Sequence, residues 1–286
     1  MLRSQLCTYN TLTSDPFLAW ADRLRPAWDP DHLDPRPVMI HRKMWEWLFI
    51  ANALEERGVL GPGKRGLGFG VGKEPLVAAF AKIGCQILAT DLPASQARSA
   101  GWTDTGQEYA GGLDGLNVPL LCPPDLFFDR VTYRDLNMTD LPADLGEFDF
   151  TWSSCAFEHL GSLDAGIDFV VEQMRYVSPG GVAVHTTECN LSSNDATIDS
   201  GATVLYRRAD LDALARRLRG LRYRVDLDLG EGDTFADRHV DVPPFSDTHL
   251  RTTLGDFVTT SAGLIIENPV HPRGPVARLS RLFTRT

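Results

Sequence analysis

A glycine-rich loop constrains the fold of this chain more than any other stretch of its sequence. The stretch GLGFGVGKEP, residues 66–75, places Gly68, Gly70 and Gly72 at alternate positions after a short apolar run. Such a loop is typical of the turn from the first strand of a doubly wound α/β sheet into its helix, where ligands bind. Lys73 stands where the dinucleotide fingerprint G-x-G-x-x-G has its last glycine, and no G-K-[ST] follows. The loop therefore predicts a nucleotide site, and it disfavours both an NAD-dependent oxidoreductase and a triphosphate-binding protein.

The pattern after this loop supports the same fold. Apolar strand patterns alternate with amphipathic helix patterns, which indicates parallel βαβ units. We predict an α/β, doubly wound, Rossmann-like sheet of seven strands, mostly parallel, with the last strand antiparallel. The strand patterns YRVDLDL and FVTTSAGLIIE follow one another without a helix between them, so we expect them to pair as a hairpin at the sheet edge.

The chain divides into three predicted regions. Residues 1–60 are predicted as an N-terminal arm and a lid helix, with the Pro- and Asp-rich residues 1–37 irregular apart from one short helix. Residues 61–268 are predicted as the main domain, with an insertion at about 231–255. Residues 269–286 form a basic C-terminal tail.

Composition limits the partners and the compartment. The 286 residues include 28 Lys and Arg against 38 Asp and Glu, a net charge of -10, which disfavours nucleic acid and anionic membranes as partners. The five cysteines form no C-x-x-C pair, as expected for reduced thiols in a cytoplasmic protein. No apolar run approaches the length of a signal peptide or a membrane span. We therefore predict a cytoplasmic protein with no membrane partner.

An acidic residue follows the glycine loop at the position expected for ribose binding. The strand pattern CQILATD, which comes next in the chain, ends at Asp91. A carboxylate at this place can accept hydrogen bonds from both ribose hydroxyls. The alternative is an aspartate that caps a turn or a helix, but the order of loop, strand and carboxylate favours the ribose role.

Four stretches resemble the sequential motifs of class I S-adenosylmethionine-dependent methyltransferases. They are GLGFGVG, ATD, DLNMTDLP, and FDFTWSSCAFEHL with the later VSPGGVAVHTTE. The resemblance covers about residues 40–268, and the last stretch is the most specific. A closer resemblance, to a bacterial subfamily linked to glycan and secondary-metabolite genes, is carried by HRKMWEW, GLGFGVGKEPL, CAFEHLGSL, GGVAVHTTE and VTTSAGLII.

The resemblance implies a reaction and a cofactor site. The implied reaction is methyl transfer from S-adenosylmethionine to an oxygen, or as the less favoured alternative a nitrogen, of a small polar acceptor such as a sugar or a secondary metabolite. The loop would contact the carboxylate end of the cofactor, and Asp91 the ribose. The adenine would contact Leu92, Asn137 and Met138, and the sulfonium Ser153 and Ser154. The full predicted cofactor set is Gly68, Phe69, Gly70, Gly72, Glu74, Asp91, Leu92, Asn137, Met138, Ser153 and Ser154.

One position departs from the family pattern. Family loops commonly carry Asp or Glu two residues before the first glycine, where it helps to bind the methionine amine, and this chain has Gly66 there. Glu74, at the start of the following helix, is our candidate for that ammonium group.

Methyl transfer to an alcohol requires an aligned acceptor and a general base. His159, in CAFEHL, and His185, in VAVHTTE, are the candidate bases, although a histidine at either place could instead fix a loop or lie in the core. Glu188 could contact the acceptor or orient His185. His249, in the predicted insertion, is a weaker candidate for the acceptor pocket, and His239, which lies near Asp241 there, is more typical of a solvated loop residue.

Metal dependence and two other functions were weighed against this prediction. Some relatives bind a divalent cation through an E-x-x-E-H stretch, but Cys155 replaces the first Glu here, so we expect no metal. The same fold could use S-adenosylmethionine for aminocarboxypropyl transfer or cyclisation, or it could be a catalytically silent nucleotide-binding domain. The sequence does not predict the oligomeric state.

Overall fold

The computed structural model describes residues 1–99 and 111–270, so nearly all of the predicted C-terminal tail lies outside the described residues. Within these ranges ten strands belong to one mixed sheet. The strands are β1 Ser4–Leu6, β2 Arg65–Phe69, β3 Gln86–Asp91, β4 Val131–Asp135, β5 Phe148–Ser154, β6 Val177–Asn190, β7 Leu227–Asp228, β8 Val240–Asp241, β9 Arg251–Leu254 and β10 Phe257–Glu267.

Helices connect and cover these strands. The α-helices are α1 Tyr9–Leu12, α2 Asp15–Trp28, α3 Arg42–Glu56, α4 Leu76–Ile83, α5 Ala94–Ser99, α6 Pro124–Arg130, α7 Leu163–Glu172, α8 Arg208–Gly220 and α9 Phe235–Arg238. Single 3-10 turns lie at Leu113–Leu116, Phe157–His159 and Gln173–Tyr176. None of the helices in the described residues combines the length and the apolar character that crossing a membrane requires.

The parallel half of the sheet has the order β4-β3-β2-β5-β6. Apolar side chains of α2, α3, α4 and α6 join a core on one face, and those of α7 and α8 join a core on the other. Helices on both faces of a largely parallel sheet define a doubly wound fold. The predicted α/β, Rossmann-like fold class is therefore confirmed.

The antiparallel half is larger than the sequence predicted. Strand β10 is antiparallel to β6, as expected for the last strand, but β9 pairs with β10 and β8 pairs with β9. The predicted edge hairpin is wrong, because β1 lies between β10 and β7. Strand β1 is only three residues long, but Leu6 is buried and the Ser4 amide donates to the Asp226 carbonyl. A strand this short leaves almost no periodic signal in a sequence.

The N-terminal region is part of the core rather than an irregular arm with a lid. In α2 the apolar residues Phe17, Trp20 and Leu24 are buried. Helix α3 is buried along most of its length, including Trp45 and Phe49, because it packs on the sheet beside β5, β6 and β10. At its start, the side chains of Arg42 and Lys43 are only partly buried.

Candidate active site

The glycine loop follows β2 and adopts backbone angles that side chains disfavour. Gly70 and Gly72 have φ angles of +55° and +50°, in the left-handed region. A Cβ atom on Gly70 would also lie 3.0 Å from Cβ of Ala156. These two glycines therefore let the loop turn between β2 and α4.

Two other glycines are required by packing within the sheet. A Cβ atom on Gly66 would lie 2.3 Å from Cζ of Phe150, and one on Gly68 would lie 2.5 Å from Cζ2 of Trp152. Both aromatic rings are fully buried, so they have no space into which to move. The absence of an acidic residue at position 66 thus has a structural cause: no side chain fits beneath Phe150.

Asp91 ends β3 and fastens the glycine loop to it. Its Oδ2 accepts a hydrogen bond from the Gly72 amide at 3.1 Å, and its Oδ1 accepts one from the Leu92 amide at 2.8 Å. Burial raises the pKa of Asp91 to about 6, although these two backbone hydrogen bonds favour the charged form. Each carboxylate oxygen keeps a second lone pair, so both remain able to accept a hydrogen bond from a ligand hydroxyl.

Glu74 is a buried carboxyl group that lacks a full set of partners. The residue is 8% exposed, and its Oε2 has no hydrogen-bond partner within the described ranges. Burial raises its pKa to about 8, despite the opposing effect of the nearby Lys43 ammonium. A buried oxygen without a partner is costly unless a ligand supplies a donor. Glu74 therefore fits a cation such as an ammonium group.

The residues predicted to contact adenine lie together beside the loop. The sulfur of Met138 lies 3.4 Å from the position of a Cβ atom on Gly70, and Leu92 directly follows Asp91. The Asn137 side chain differs from expectation, because its Oδ1 accepts from both the amide and the hydroxyl of Thr139. Its Nδ2 donates to Gln96. A hydrogen bond from the adenine amine to Oδ1 of Asn137 would require this oxygen to release one of the two hydrogen bonds that it accepts from Thr139.

The residues predicted near the sulfonium point in different directions. Ser153 is fully buried and its Oγ lies 2.8 Å from Nδ1 of His185, whereas Ser154 donates to Glu46 at 3.3 Å on the other face. The Phe69 ring packs against Phe169, so only its backbone is available at the loop. Successive residues of a strand face opposite sides, which separates Ser153 from Ser154.

A cavity of about 690 Å³ opens at the carboxyl end of β5. The first turn of α3, the 3-10 turn after β5, the end of β6 and the strands β9 and β10 surround it. The residues that line it are His41, Arg42, Lys43, Cys155, Glu158, His159, Glu188, Thr203, Phe245, Ser246, His249, Thr252, Thr253, Leu254 and Thr259.

Two of the three predicted catalytic residues line this cavity, and the third does not. Glu188 and His159 are in the lining, and Nδ1 of His159 lies 2.9 Å from the Ala202 carbonyl and 3.1 Å from the Thr203 hydroxyl. His185 is fully buried on the opposite face of β6, between the rings of Phe157 and Phe169. Burial lowers its pKa to about 3. The expectation that His185 faces the ligand was wrong, because strand alternation turns it into the core.

A network of buried charges forms the floor of the cavity. Arg42 pairs with Glu188, and Lys43 pairs with the fully buried Glu46 at 2.7 Å. Glu188 also accepts from Thr259 at 2.8 Å. Burial by itself would raise the pKa of Glu46, but Lys43 and Arg42 outweigh it and hold the value at about 2. The first turn of α3 is thereby fixed to the strand ends.

Three side chains at the cavity have the chemistry of metal ligands. One donor atom from each of Cys155, Glu158 and Glu188 lies within 4.8 Å of the other two. Burial raises the pKa of both Glu158 and Cys155, and Oε1 of Glu158 has no hydrogen-bond partner in the described part of the chain. Arg42 already pairs with Glu188, so a cationic group neutralises part of this cluster. The expectation of no metal stays a prediction.

The cavity lining also contains two stacked histidines, of which the sequence analysis missed His41 and ranked His249 low. The rings of His41 and His249 lie 4.6 Å apart at 19°, and Nδ1 of His249 lies 2.7 Å from Oδ2 of Asp241. A possible signal was the run HRK at a predicted helix start in an acidic chain, since cations are unfavourable at that end of a helix. Asp241 and His249 lie eight residues apart, and no local pattern joins them.

One protein-family model matches the central part of the chain. Residues 67–185 match the family model described as a methyltransferase domain. No curated protein sequence matches the chain.

Similar solved structures include a DhpI–SAH complex (13% identity, 93% of this chain and 100% of that chain, TM-score 0.44). An S-adenosylmethionine-dependent methyltransferase from Clostridium acetobutylicum aligns with 11% identity over 88% of this chain and 98% of that chain, with a TM-score of 0.44. Magnesium protoporphyrin IX methyltransferase (ChlM) from Synechocystis, with bound SAH, aligns with 11% identity over 87% and 94%, with a TM-score of 0.48.

Proposed function

We propose that this chain, whose residues 67–185 match the methyltransferase domain model, is an S-adenosylmethionine-dependent methyltransferase that methylates an oxygen of a small polar acceptor. The acceptor is a molecule such as a sugar or a secondary metabolite, bound in the cavity beside β5. Nitrogen is the less favoured acceptor atom.

The observation that carries this proposal is the chemistry of the cavity. Its volume of about 690 Å³ is typical of small-molecule sites. Thr203, Thr252, Thr253 and Thr259 contribute hydroxyl groups to its lining, together with the Arg42–Glu188 ion pair, the Lys43 side chain and three histidines. Hydroxyl and imidazole groups can both donate to and accept from the hydroxyls of an acceptor. The cavity reaches Cys155, directly after β5, so it meets the edge of the sheet that carries the glycine loop.

The loop side of this edge fits S-adenosylmethionine, which supplies a methyl group on a sulfonium sulfur. The Gly70 amide would hold the carboxylate, and Asp91 would accept from the ribose hydroxyls. Glu74 would hold the ammonium, because its buried Oε2 lacks a donor among the described residues. The predicted adenine contacts of Leu92 and Met138 are kept in this proposal.

On the acceptor side of the site, the residues predicted as catalytic have different roles in this proposal. Glu188, held by Arg42 and Thr259, presents a fixed anionic group to the acceptor. His159 contacts the acceptor while it fixes the segment at Ala202 and Thr203. His185 supports the sheet from its buried position.

A direct assay tests the proposal. The protein would be incubated with S-adenosylmethionine and a panel of sugars, phenols and aliphatic amines, and S-adenosylhomocysteine and methylated products would be measured by mass spectrometry. We expect methyl ethers as the products. Methylthioadenosine as the product, or N-methyl products alone, would contradict the proposal.

A pair of tryptophan variants localises the acceptor. Thr253→Trp would fill part of the cavity, so turnover should fall while S-adenosylhomocysteine binding stays the same. The control is Thr132→Trp, at an exposed position near the amino end of β4, which should leave both unchanged. Equal turnover in the two variants would mean that the acceptor binds elsewhere.

A further inference from the structure

We propose that His249 is the general base that accepts the acceptor's hydroxyl proton, and that Asp241 is the positioning residue that orients it. The inference rests on the proposed O-methylation and names the group that performs its proton transfer. His249 lines the cavity, and Asp241 lies behind it, 2% exposed.

His249 is held by its backbone hydrogen bonds and by contacts of its ring. Its backbone amide donates to the Ile40 carbonyl at 2.8 Å, and its carbonyl accepts from the Arg42 amide at 2.9 Å. One face of its ring stacks on His41, and the Phe245 ring meets it edge-on with ring centroids 5.2 Å apart. A base held this firmly needs little reorganisation before it accepts a proton.

The hydrogen bond to Asp241 determines which nitrogen is basic. Burial by itself would raise the pKa of Asp241, but hydrogen bonds from His249 and Ser246 outweigh it and hold the value at about 2. Asp241 is therefore a carboxylate, which only accepts hydrogen bonds, so Nδ1 of His249 must carry the hydrogen that bridges their 2.7 Å separation. Nε2 is then the unprotonated nitrogen, and no hydrogen bond to it is found among residues 1–99 and 111–270.

The neighbouring His41 suits this role because it stays neutral. Its Nδ1 accepts from the Lys43 amide at 3.0 Å, and burial, followed by the field of His249, lowers its pKa to about 4. A positive charge formed on His249 therefore meets the Asp241 carboxylate on one side and an uncharged ring on the other.

The proton transfer is balanced by the methyl transfer. As the acceptor hydroxyl gives its proton to Nε2 of His249, the electron pair of the O–H bond stays on the oxygen. That oxygen forms a C–O bond to the methyl carbon, while the C–S bond breaks and its electron pair remains on sulfur. The products are a methyl ether, S-adenosylhomocysteine and a His249 imidazolium, which returns its proton to water.

The assignment is tested first without an acceptor. Long-range ¹H–¹⁵N NMR spectra of the ¹⁵N-histidine-labelled protein, with His249 assigned by comparison with His249→Asn, report which ring nitrogen carries hydrogen. We expect the Nδ1–H form in the wild type. In Asp241→Asn we expect the Nε2–H form to appear, because the amide can donate to Nδ1. A wild-type signal from the Nε2–H form, or a tautomer indifferent to Asp241→Asn, would overturn the inference.

Turnover provides the second test. His249→Asn keeps an N–H donor near Asp241 but removes the basic nitrogen, so O-methylation should fall about 10²–10⁴-fold with unchanged S-adenosylhomocysteine affinity. Added imidazole should restore part of the activity of His249→Ala. The matched control is His239→Ala: that histidine approaches the other oxygen of Asp241 at 3.7 Å but is not part of the cavity lining, and its removal should change turnover less than about threefold.

The two proposals can fail separately. If the wild type forms methyl ethers and His249→Asn retains full turnover, His249 is not the base, although the proposed O-methylation stands. If the wild type methylates no oxygen, the proposed function fails, and the general-base role that rests on it fails too. The tautomer then shows only whether the hydrogen bond to Asp241 has been assigned correctly.

Discussion

The glycine loop and the proposed acceptor cavity lie on the same edge of the sheet but are built in different ways. The loop, residues 69–75, and Asp91 come from one continuous βαβ unit, and backbone amides hold them together. The cavity collects side chains from α3, from the ends of β5 and β6, and from β8 to β10. Buried ion pairs and side-chain hydrogen bonds join these distant segments.

This difference indicates which substitutions each region should tolerate. Backbone hydrogen bonds tolerate most side-chain changes, so the loop should be sensitive mainly at glycines and at its two carboxylates. A buried charge network depends on every member, because a lost partner leaves an uncompensated charge. Four predictions, in order of decreasing effect, test this contrast.

The largest effect is expected at Glu46, which anchors the first turn of α3 beneath the cavity. Glu46→Gln removes the charge that pairs with Lys43 and Arg42. We expect about 3 kcal/mol of destabilisation in urea unfolding, the lower end of the range for buried pairs, because Lys43 is 40% exposed. In the control, Glu55→Gln on the same helix, the exposed pair with Arg23 should contribute less than about 1 kcal/mol. Equal losses of unfolding free energy in the two variants would show that the buried network stabilises the protein no more than the exposed ion pair does.

The second effect concerns Gly66, the position where related loops carry an acidic residue. Gly66→Asp should lower the free energy of unfolding by at least about 1–3 kcal/mol, because its Cβ would overlap Phe150. It should not strengthen cofactor binding. In the control, Gly220→Ala at the end of α8, a Cβ has no neighbour within 4 Å, so stability should stay the same or rise by less than about 1 kcal/mol. A stable Gly66→Asp protein with tighter S-adenosylhomocysteine binding would refute the packing explanation.

Asp91 should affect binding more than stability. Asp91→Ala should weaken S-adenosylhomocysteine binding by about 1–3 kcal/mol in calorimetry, because the ribose would lose its acceptors and Gly72 its anchor. Asp135→Ala is the matched control, since Asp135 lies beside Asp91 at the end of β4 but is exposed. Unchanged affinity in Asp91→Ala would remove this residue from the proposed cofactor site.

The smallest expected effect is a pH dependence of S-adenosylhomocysteine binding that arises from Glu74. Its pKa of about 8 in the free protein means that Glu74 must lose a proton when it binds an ammonium at neutral pH. The affinity for S-adenosylhomocysteine should therefore rise as the pH increases towards 8, by up to about tenfold per pH unit. Calorimetry in buffers of different ionisation enthalpy would detect the released proton.

Two controls separate Glu74 from other titrating groups. Glu74→Gln should lose the proton release, and methylthioadenosine, which lacks the α-ammonium group of the amino-acid moiety, should bind the wild type without it. The assignment of Glu74 would be wrong if the wild type released the same number of protons with both ligands.

The sequence predicted the parts of this protein that depend on local patterns. The alternation of strands and helices gave the doubly wound sheet, and the order of glycine loop, strand and Asp91 gave two features that the structure brings into contact. Glu74 was chosen from its place at a helix start, and the structure adds that it is buried with an oxygen that has no partner among the described residues. Two sequence predictions were wrong: one concerned a strand too short to give a periodic signal, and the other the face of a strand on which a side chain lies. Strand β1 was missed, and His185 was assigned to the wrong face of β6.

By itself the sequence determined the class of fold and the position of the loop, because periodicity of 2 or 3.6 residues and glycine spacing are properties of neighbouring residues. Only the tertiary structure brought His41 to His249, Asp241 to His249 and Arg42 to Glu188. Two of these contacts join residues far apart in the chain and the third spans eight residues, and all three are fixed by how helices and strand ends pack. The packing of these segments therefore forms the cavity, and no local sequence pattern predicts it.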